Sequence, residues 1–178
     1  DGLIDGSNIQ PGDCLVGFPS SGLHTNGFSL VRSVFDIDDN PSVLFLRFDE
    51  LRHTLGEELL IRHRCYHPML EPVLKSFKGL AHITGGGLPG KMPAILPEHL
   101  AAEFRPETWT APPIFGIIQR EGNISTDEMY RVFNMGLGMV AVCAEDALEA
   151  ITDKIPDARV VGRIIKRDDG PQVAILDG

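Results

Sequence analysis

Two short stretches hold residue types suited to gripping an anion. The first is Ser20-Ser21-Gly22-Leu23-His24-Thr25-Asn26-Gly27, set between the apolar run Cys14-Leu15-Val16-Gly17-Phe18 and a segment of helical spacing. Hydroxyls donate, glycine lets a ligand approach the backbone, and a helix N-terminus favours negative charge. His24 has the chemistry to donate to a phosphate or to move a proton near neutral pH. The same pattern also fits a plain turn whose Ser and Asn do no more than cap the next helix. The second stretch is His82-Ile83-Thr84-Gly85-Gly86-Gly87, again after an apolar run and before a helical one. Three consecutive glycines cost about 0.5–1 kcal/mol each relative to alanine in regular structure. A ligand at the backbone or a tight turn would account for them. The stretch is neither a Walker A sequence nor a G-x-G-x-x-G fingerprint, so it carries no nucleotide-fold assignment. Two strand–loop–helix units in one short chain point to a small anionic ligand more strongly than either alone.

Other candidates are weaker. His63, Cys65 and His67 lie close in sequence, but no paired C-x-x-C supports a tetrahedral centre, and no metal is expected from them. Asn134 precedes a glycine-bearing run and reads as a cap or turn residue; Trp109, beside Pro112 and Pro113, reads as a packing anchor. Sequence order alone supports no Ser-His-Asp arrangement.

The elements that must position these loops follow from apolar spacing. Residues 1–13 are polar and punctuated by Gly, Asn and Pro, so they read as a linker or arm, with one domain over 14–178. A buried strand is expected at 14–18 and a helix through Phe28, Val31, Val34 and Phe35, capped by Asn26. Residues 36–50 read as loop with a short element. From Leu51 to Phe77 the spacing predicts two helices, the second starting near Pro68. Residues 80–84 read as a strand, 85–90 as a loop, 92–96 as a short helix and 100–105 as a half-exposed strand. Helices are expected at 114–120 and 126–133, the latter opened by Ser125 or Thr126 with Asp127 and Glu128. Residues 136–144 form a continuous apolar run, hence a central strand, and 145–155 an amphipathic helix. Strands at 160–166 and 172–176 would pair antiparallel around Asp168-Asp169-Gly170. The fold class is α/β of the α+β type: a mixed, largely antiparallel sheet packed with helices.

Bulk properties narrow the function. A chain of 178 residues, 43% hydrophobic and 23% charged, suits one well-buried globular domain. Nineteen glycines and thirteen prolines, spread between apolar segments, imply many turns joining short elements. A net charge of −9 disfavours nucleic-acid binding. It leaves room for a small phosphorylated ligand held by a local nest of N–H groups. No apolar run approaches the roughly 20 residues of a membrane helix, and no secretory signal is visible. Cys14, Cys65 and Cys143 are odd in number and far apart, which suits reduced thiols in a cytoplasmic protein. The chain opens Asp1-Gly2 without methionine, so it is expected to be a piece of a longer polypeptide.

Four segments together resemble the cyclo-ligase family also called AIR synthetase. They are Pro19 to Arg32, His82 to Gly87, Gly122-Asn123, and Glu128-Met129-Tyr130-Arg131-Val132-Phe133-Asn134-Met135-Gly136-Leu137-Gly138-Met139. Their order and spacing follow the family along nearly the whole chain. The loops of related formylglycinamidine ribonucleotide synthetase, selenophosphate synthetase and thiamine-phosphate kinase differ from this one. The resemblance implies the carboxy-terminal half of an ATP-dependent enzyme that converts formylglycinamidine ribonucleotide to aminoimidazole ribonucleotide. Its amino-terminal half would hold most contacts to ATP and Mg2+, and the whole would be a homodimer. On such an enzyme the pair of helix-opening loops leads to the expectation that His24 and Asn26 are catalytic, acting near the reacting amide or the transferred phosphoryl group. Substrate or phosphate contacts would fall to Ser20, Ser21, Gly22, Thr84, Gly85, Gly86 and Gly87. An alternative reading is a non-catalytic substrate-binding or dimer-assembly module, or a related synthetase. One stretch departs from the family: Arg62-His63-Arg64-Cys65-Tyr66 stands where a Pro-Thr-Arg-Ile-Tyr-like segment is expected.

Overall fold

The computed structural model describes residues 4–176. Its strands are β1 (Cys14–Pro19), β2 (Phe77–His82), β3 (Leu100–Phe104), β4 (Leu137–Cys143), β5 (Arg159–Lys166) and β6 (Val173–Ile175). They form one sheet in the order β2-β4-β1-β5-β3-β6, with every pairing antiparallel except β3–β6. The described α-helices are α1 (Phe28–Val34), α2 (Leu55–Leu59), α3 (His67–Leu70), α4 (Gly87–Lys91), α5 (Pro113–Gly122), α6 (Thr126–Val132) and α7 (Leu148–Lys154). The mixed, largely antiparallel α/β class expected from sequence is what forms. No described helix is long and apolar enough to cross a membrane.

Both faces of the central strands are covered, which explains why β1 and β4 read as continuous apolar runs. Leu15, Val140 and Val142 enter a cluster with Leu88, Met92 and Leu100. Val16, Phe18, Ala141 and Cys143 face the opposite cluster, with Tyr66, Leu70 and Ile151. A third cluster is mainly helical and joins α1, α2, α5 and α6 through Val31, Leu55, Phe115, Ile118, Met129 and Phe133.

Several local expectations change. Asn26 does not cap α1: the cap position is Gly27, left-handed at φ 79°, with no side-chain cap bond. A Cβ on Gly27 would stand 2.1 Å from Phe133 Cε1, so only glycine lets α1 start against that ring. Two helices form after Leu51, as expected: α2, begun by a capping box between Thr54 and Glu57, and the short α3 around Pro68, continued by a 3-10 turn, Glu71–Ser76; Phe77 opens β2 instead of ending a helix. Gly87, expected in a loop, starts α4. The first turn expected at 145–155 is a 3-10 turn, Glu145–Ala147. Strand β3 is buried at Leu100, Ala101, Ala102 and Phe104, not half-exposed. β5 and β6 do not form a hairpin. Both edges of β5 are occupied by β1 and β3, so β6 pairs parallel to the remaining edge of β3.

Residues 4–13 pack against the sheet. Ile9 is buried in the core, and the Gly6 amide donates to Lys78 O. The buried Asp13 carboxylate accepts two hydrogen bonds from Lys78 Nζ, at 2.6 and 2.9 Å, and one from the Gln10 amide at 2.7 Å. Truncating the cation strands a buried acceptor, so Lys78→Met should lower unfolding stability by about 1–3 kcal/mol in urea titrations. A smaller loss would show that water readily replaces the lysine.

Candidate functional site

The loop after β1 is fixed from beneath by the start of β4. Asn134, 3% exposed, donates through Nδ2 to the carbonyls of Gly22 (2.9 Å) and Leu23 (3.3 Å), and its Oδ1 accepts the Gly136 amide at 2.9 Å. The Ser20 amide donates to Gly136 O at 2.8 Å. Asn134 is thus a buried clamp, a role that reading it as a cap or turn residue understated. Held this way, His24 takes a left-handed backbone, φ 63°, which is costly for a residue with a Cβ. Its ring is buried, and the Ser21 amide donates to its Nε2 at 3.2 Å.

The glycine loop arrives from the next strand over. The Ile83 amide donates to Gly138 O, and the Gly87 amide donates to Thr84 O. Gly86 and Gly87 both have positive φ, and a Cβ on Gly87 would lie 1.8 Å from Tyr130 O. Glycine is therefore required at position 87 by the backbone of α6, whether or not a ligand is bound. The two loops meet: Asn26 Oδ1 lies 3.5 Å from where a Cβ on Gly85 would stand. Ser20, Ser21, Gly22, His24 and Asn26 thus share one end of the sheet with Thr84, Gly85, Gly86 and Gly87.

A third segment, between α2 and α3, completes the neighbourhood. Ser21 Oγ donates to Arg62 O at 2.7 Å, and Tyr66 Oη donates to Pro19 O at 2.9 Å. These ties stack His63 on His24, with ring centroids 3.9 Å apart at 14°, and bring His63 Nε2 to 3.0 Å from His82 Nε2. His63 therefore groups with His24 and His82, not with its sequence neighbours Cys65 and His67. No period in the sequence marks this, because residues 60–66 form no regular element. Ser20 Oγ and His24 Nδ1 are buried without a hydrogen-bond partner among the described residues. Such orphaned groups are uncommon in native interiors and suit a ligand with acceptor oxygens.

The family described as AIR synthase related protein, C-terminal domain, matches residues 10–173. The chain belongs to that family. It is 41% identical, over 96% of its length, to a phosphoribosylformylglycinamidine cyclo-ligase of Caldicellulosiruptor saccharolyticus. It is 44% identical, over 99% of its length, to the same enzyme of Nitrosococcus oceani. It covers 52% and 50% of those relatives, so the chain spans about half the length of the curated relatives it matches. Solved structures share the fold at low identity. E. coli HypE gives a TM-score of 0.57 at 15% identity, covering 97% of this chain and 48% of that one. AaThiL complexed with AMPPCP and TMP gives 0.56 at 11%, covering 97% and 49%.

In this AIR synthase related domain the cluster is uncharged at its centre. Burial, then the neighbouring His63, His82 and Arg64, pushes His24 down to about 4. Burial, then His63 and Lys91, lowers His82. Burial raises the Tyr66 phenol to about 12, so it stays a donor. Arg64 is engaged elsewhere, by Asp157 at 3.2 Å.

Two outcomes follow for the domain. His24 is neutral in the fold but titrates near 6.5 when unfolded, so protons favour the unfolded chain between those values. Stability should fall as pH drops from about 6.5 to about 4, and His24→Gln should flatten that part of a melting-temperature profile. An unchanged slope in His24→Gln would assign the dependence to other groups. Asn134→Ala leaves the Gly136 amide and two carbonyls unpaired, so a loss of about 1–3 kcal/mol is expected in denaturant titrations. Faster amide exchange at residues 20–24 should accompany it.

Proposed function

We propose that this chain supplies half of the active site of a phosphoribosylformylglycinamidine cyclo-ligase, which makes aminoimidazole ribonucleotide from formylglycinamidine ribonucleotide and ATP. The identity with relatives of that name, running along nearly the whole of this chain and about half of theirs, carries this reading. The partnerless Ser20 Oγ and His24 Nδ1, in the loop that abuts the glycine loop, support it.

An amide oxygen is a poor leaving group; ATP, when bound, supplies the phosphoryl group that makes it a good one. The amidine nitrogen then forms the new C–N bond as the C–O bond breaks, phosphate departs and the nitrogen loses a proton. This chain's part in that sequence is to position and to stabilise charge. Thr84 and the amides of Gly85 and Gly86, with Ser20, Ser21 and Gly22, hold the substrate phosphate, while the Gly87 amide, engaged by Thr84 O, closes the loop behind them. His24 and Asn26 sit at the reacting amide or the transferred phosphoryl oxygens. With a ring that stays neutral at pH 7, His24 acts there as a hydrogen-bond donor, not as a cation.

Mg2+ does not fit this half of the site. Its one cluster of ligating side chains among the described residues is three imidazoles without a carboxylate, whereas Mg2+ takes oxygen. In this proposal Mg2+ and most ATP contacts belong to an amino-terminal domain absent from this chain, residues 14–178 being the carboxy-terminal domain. The full-length enzyme is a cytoplasmic homodimer. The isolated chain then behaves as a binding module, taking ribose phosphate weakly and turning nothing over.

The test is ATP-dependent formation of aminoimidazole ribonucleotide by the full-length polypeptide, beside this chain and full-length His24→Ala. Activity in the first, none in the second, and a fall in kcat of about 10²-fold or more in the folded variant are expected. A folded full-length protein that makes no aminoimidazole ribonucleotide would overturn the activity. Full kcat and KM in His24→Ala would overturn the role of that residue.

A further inference from the structure

The three histidines come from separate segments: His24 from the loop after β1, His63 from the irregular stretch before α3, and His82 from the end of β2. One ring nitrogen of each lies within 4.8 Å of the others. The 3.0 Å between His63 Nε2 and His82 Nε2 is close to the spacing of two imidazoles on one tetrahedral ion. With metal–nitrogen bonds near 2.0–2.1 Å, that spacing is about 3.3 Å. A hydrogen bond between these two rings accounts for their contact, but nothing in it explains a third ring stacked beside them.

Space for the cluster is built into the sheet. A Cβ on Gly138 would stand 1.9 Å from Tyr66 Oη and 2.5 Å from His24 Cε1, so the glycine in β4 is what admits both rings. Among the described residues the His24 ring makes a single hydrogen bond, the long one from the Ser21 amide, and its buried Nδ1 has no partner. Little therefore holds the ring against the turn that would bring a lone pair out of the stack. His82 is exposed and His63 half-buried, so an ion can reach the cluster from solvent. The donor set is wholly nitrogen and stays unprotonated where it is most buried, which suits zinc, cobalt, nickel or copper over magnesium or calcium.

We propose that His24, His63 and His82 form a binding site for one divalent transition-metal ion, with three imidazole ligands and a fourth position open to water or an anionic ligand. The site does not depend on the cyclo-ligase reading. His63 has no part in that proposed chemistry and stands in the stretch where this chain departs from the expected family pattern. An ion there would engage the ring assigned to the reacting amide, so metal occupancy and turnover would compete.

The experiment is calorimetric titration of the untagged, chelator-treated chain with ZnCl2, paired with visible absorption on adding CoCl2. One equivalent should bind with micromolar affinity, and cobalt should give the intense bands of four-coordinate geometry. His63→Ala and His82→Ala should each weaken zinc binding about tenfold or more, while His67→Ala leaves it unchanged. Circular dichroism melts of the same samples establish that each variant is folded. No saturable binding by the folded chain, or binding indifferent to both His63→Ala and His82→Ala, would overturn the site. Either result would leave the cyclo-ligase assay unaffected.

Discussion

The five residues from Asn134 to Gly138 hold the rest of the site in place. Asn134 pins the carbonyls of the 20–27 loop, Gly136 O receives the Ser20 amide, and Gly138 O receives the Ile83 amide at the head of the glycine loop. The missing side chain at Gly138 makes the space that Tyr66 and His24 fill. Three segments distant in sequence are therefore hung on one strand entrance by hydrogen bonds and one close approach. Buried polar groups of this kind are costly when half-satisfied, and the Asn134 amide is bonded on both its nitrogen and its oxygen. A strained left-handed His24 is tolerable only because its neighbours at 22 and 23 cannot move away.

The helical layer is coupled to the same seam through glycine. Phe133 closes against Gly27 at the start of α1, while Tyr130 O and Phe133 O close against Gly87 at the start of α4. Both functional loops thus end in glycines dictated by α6 and the residue that follows it. The triple glycine need not be explained wholly by a ligand: position 87 is accounted for by backbone packing, while a Cβ at Gly85 would meet only Asn26 Oδ1 within 4 Å, at 3.5 Å. The part of the loop free to meet a ligand is correspondingly its first half.

Much of the framework was legible in sequence because it rests on local rules. The apolar runs at 14–18 and 136–144 form the adjacent inner strands β1 and β4, and Ser125 caps α6 through a bond from the Glu128 amide. The failures are tertiary. Asn26 looks like a cap by residue type, yet Gly27 takes the position because Phe133 leaves room for nothing else. The Asp168-Asp169-Gly170 turn suggests a hairpin, yet a strand with both edges already paired cannot accept one. His63 was grouped with Cys65 and His67 by proximity along the chain. Its true neighbours come from the loop after β1, 39 residues before it, and from the end of β2, 19 residues after it, brought in by the Ser21–Arg62 and Tyr66–Pro19 bonds.

The electrostatics of the site follow from this construction. The chain carries a net charge of −9, yet the centre of the cluster is formed of the neutral His24 ring, hydroxyls and amides. Arg64, whose charge acts on His24, is tied to Asp157 and to Pro19 O. A site of dipoles in a negatively charged protein cannot draw an anion from a distance as a cluster of lysines would; it can only hold one that is already close. Selectivity at such a site comes from geometry, because each amide and hydroxyl is useful only to an oxygen standing where it points. The strain at His24 and the orphaned Ser20 hydroxyl are consistent with groups fixed in advance for that position, since relaxing toward mutual hydrogen bonds would satisfy the free loop better.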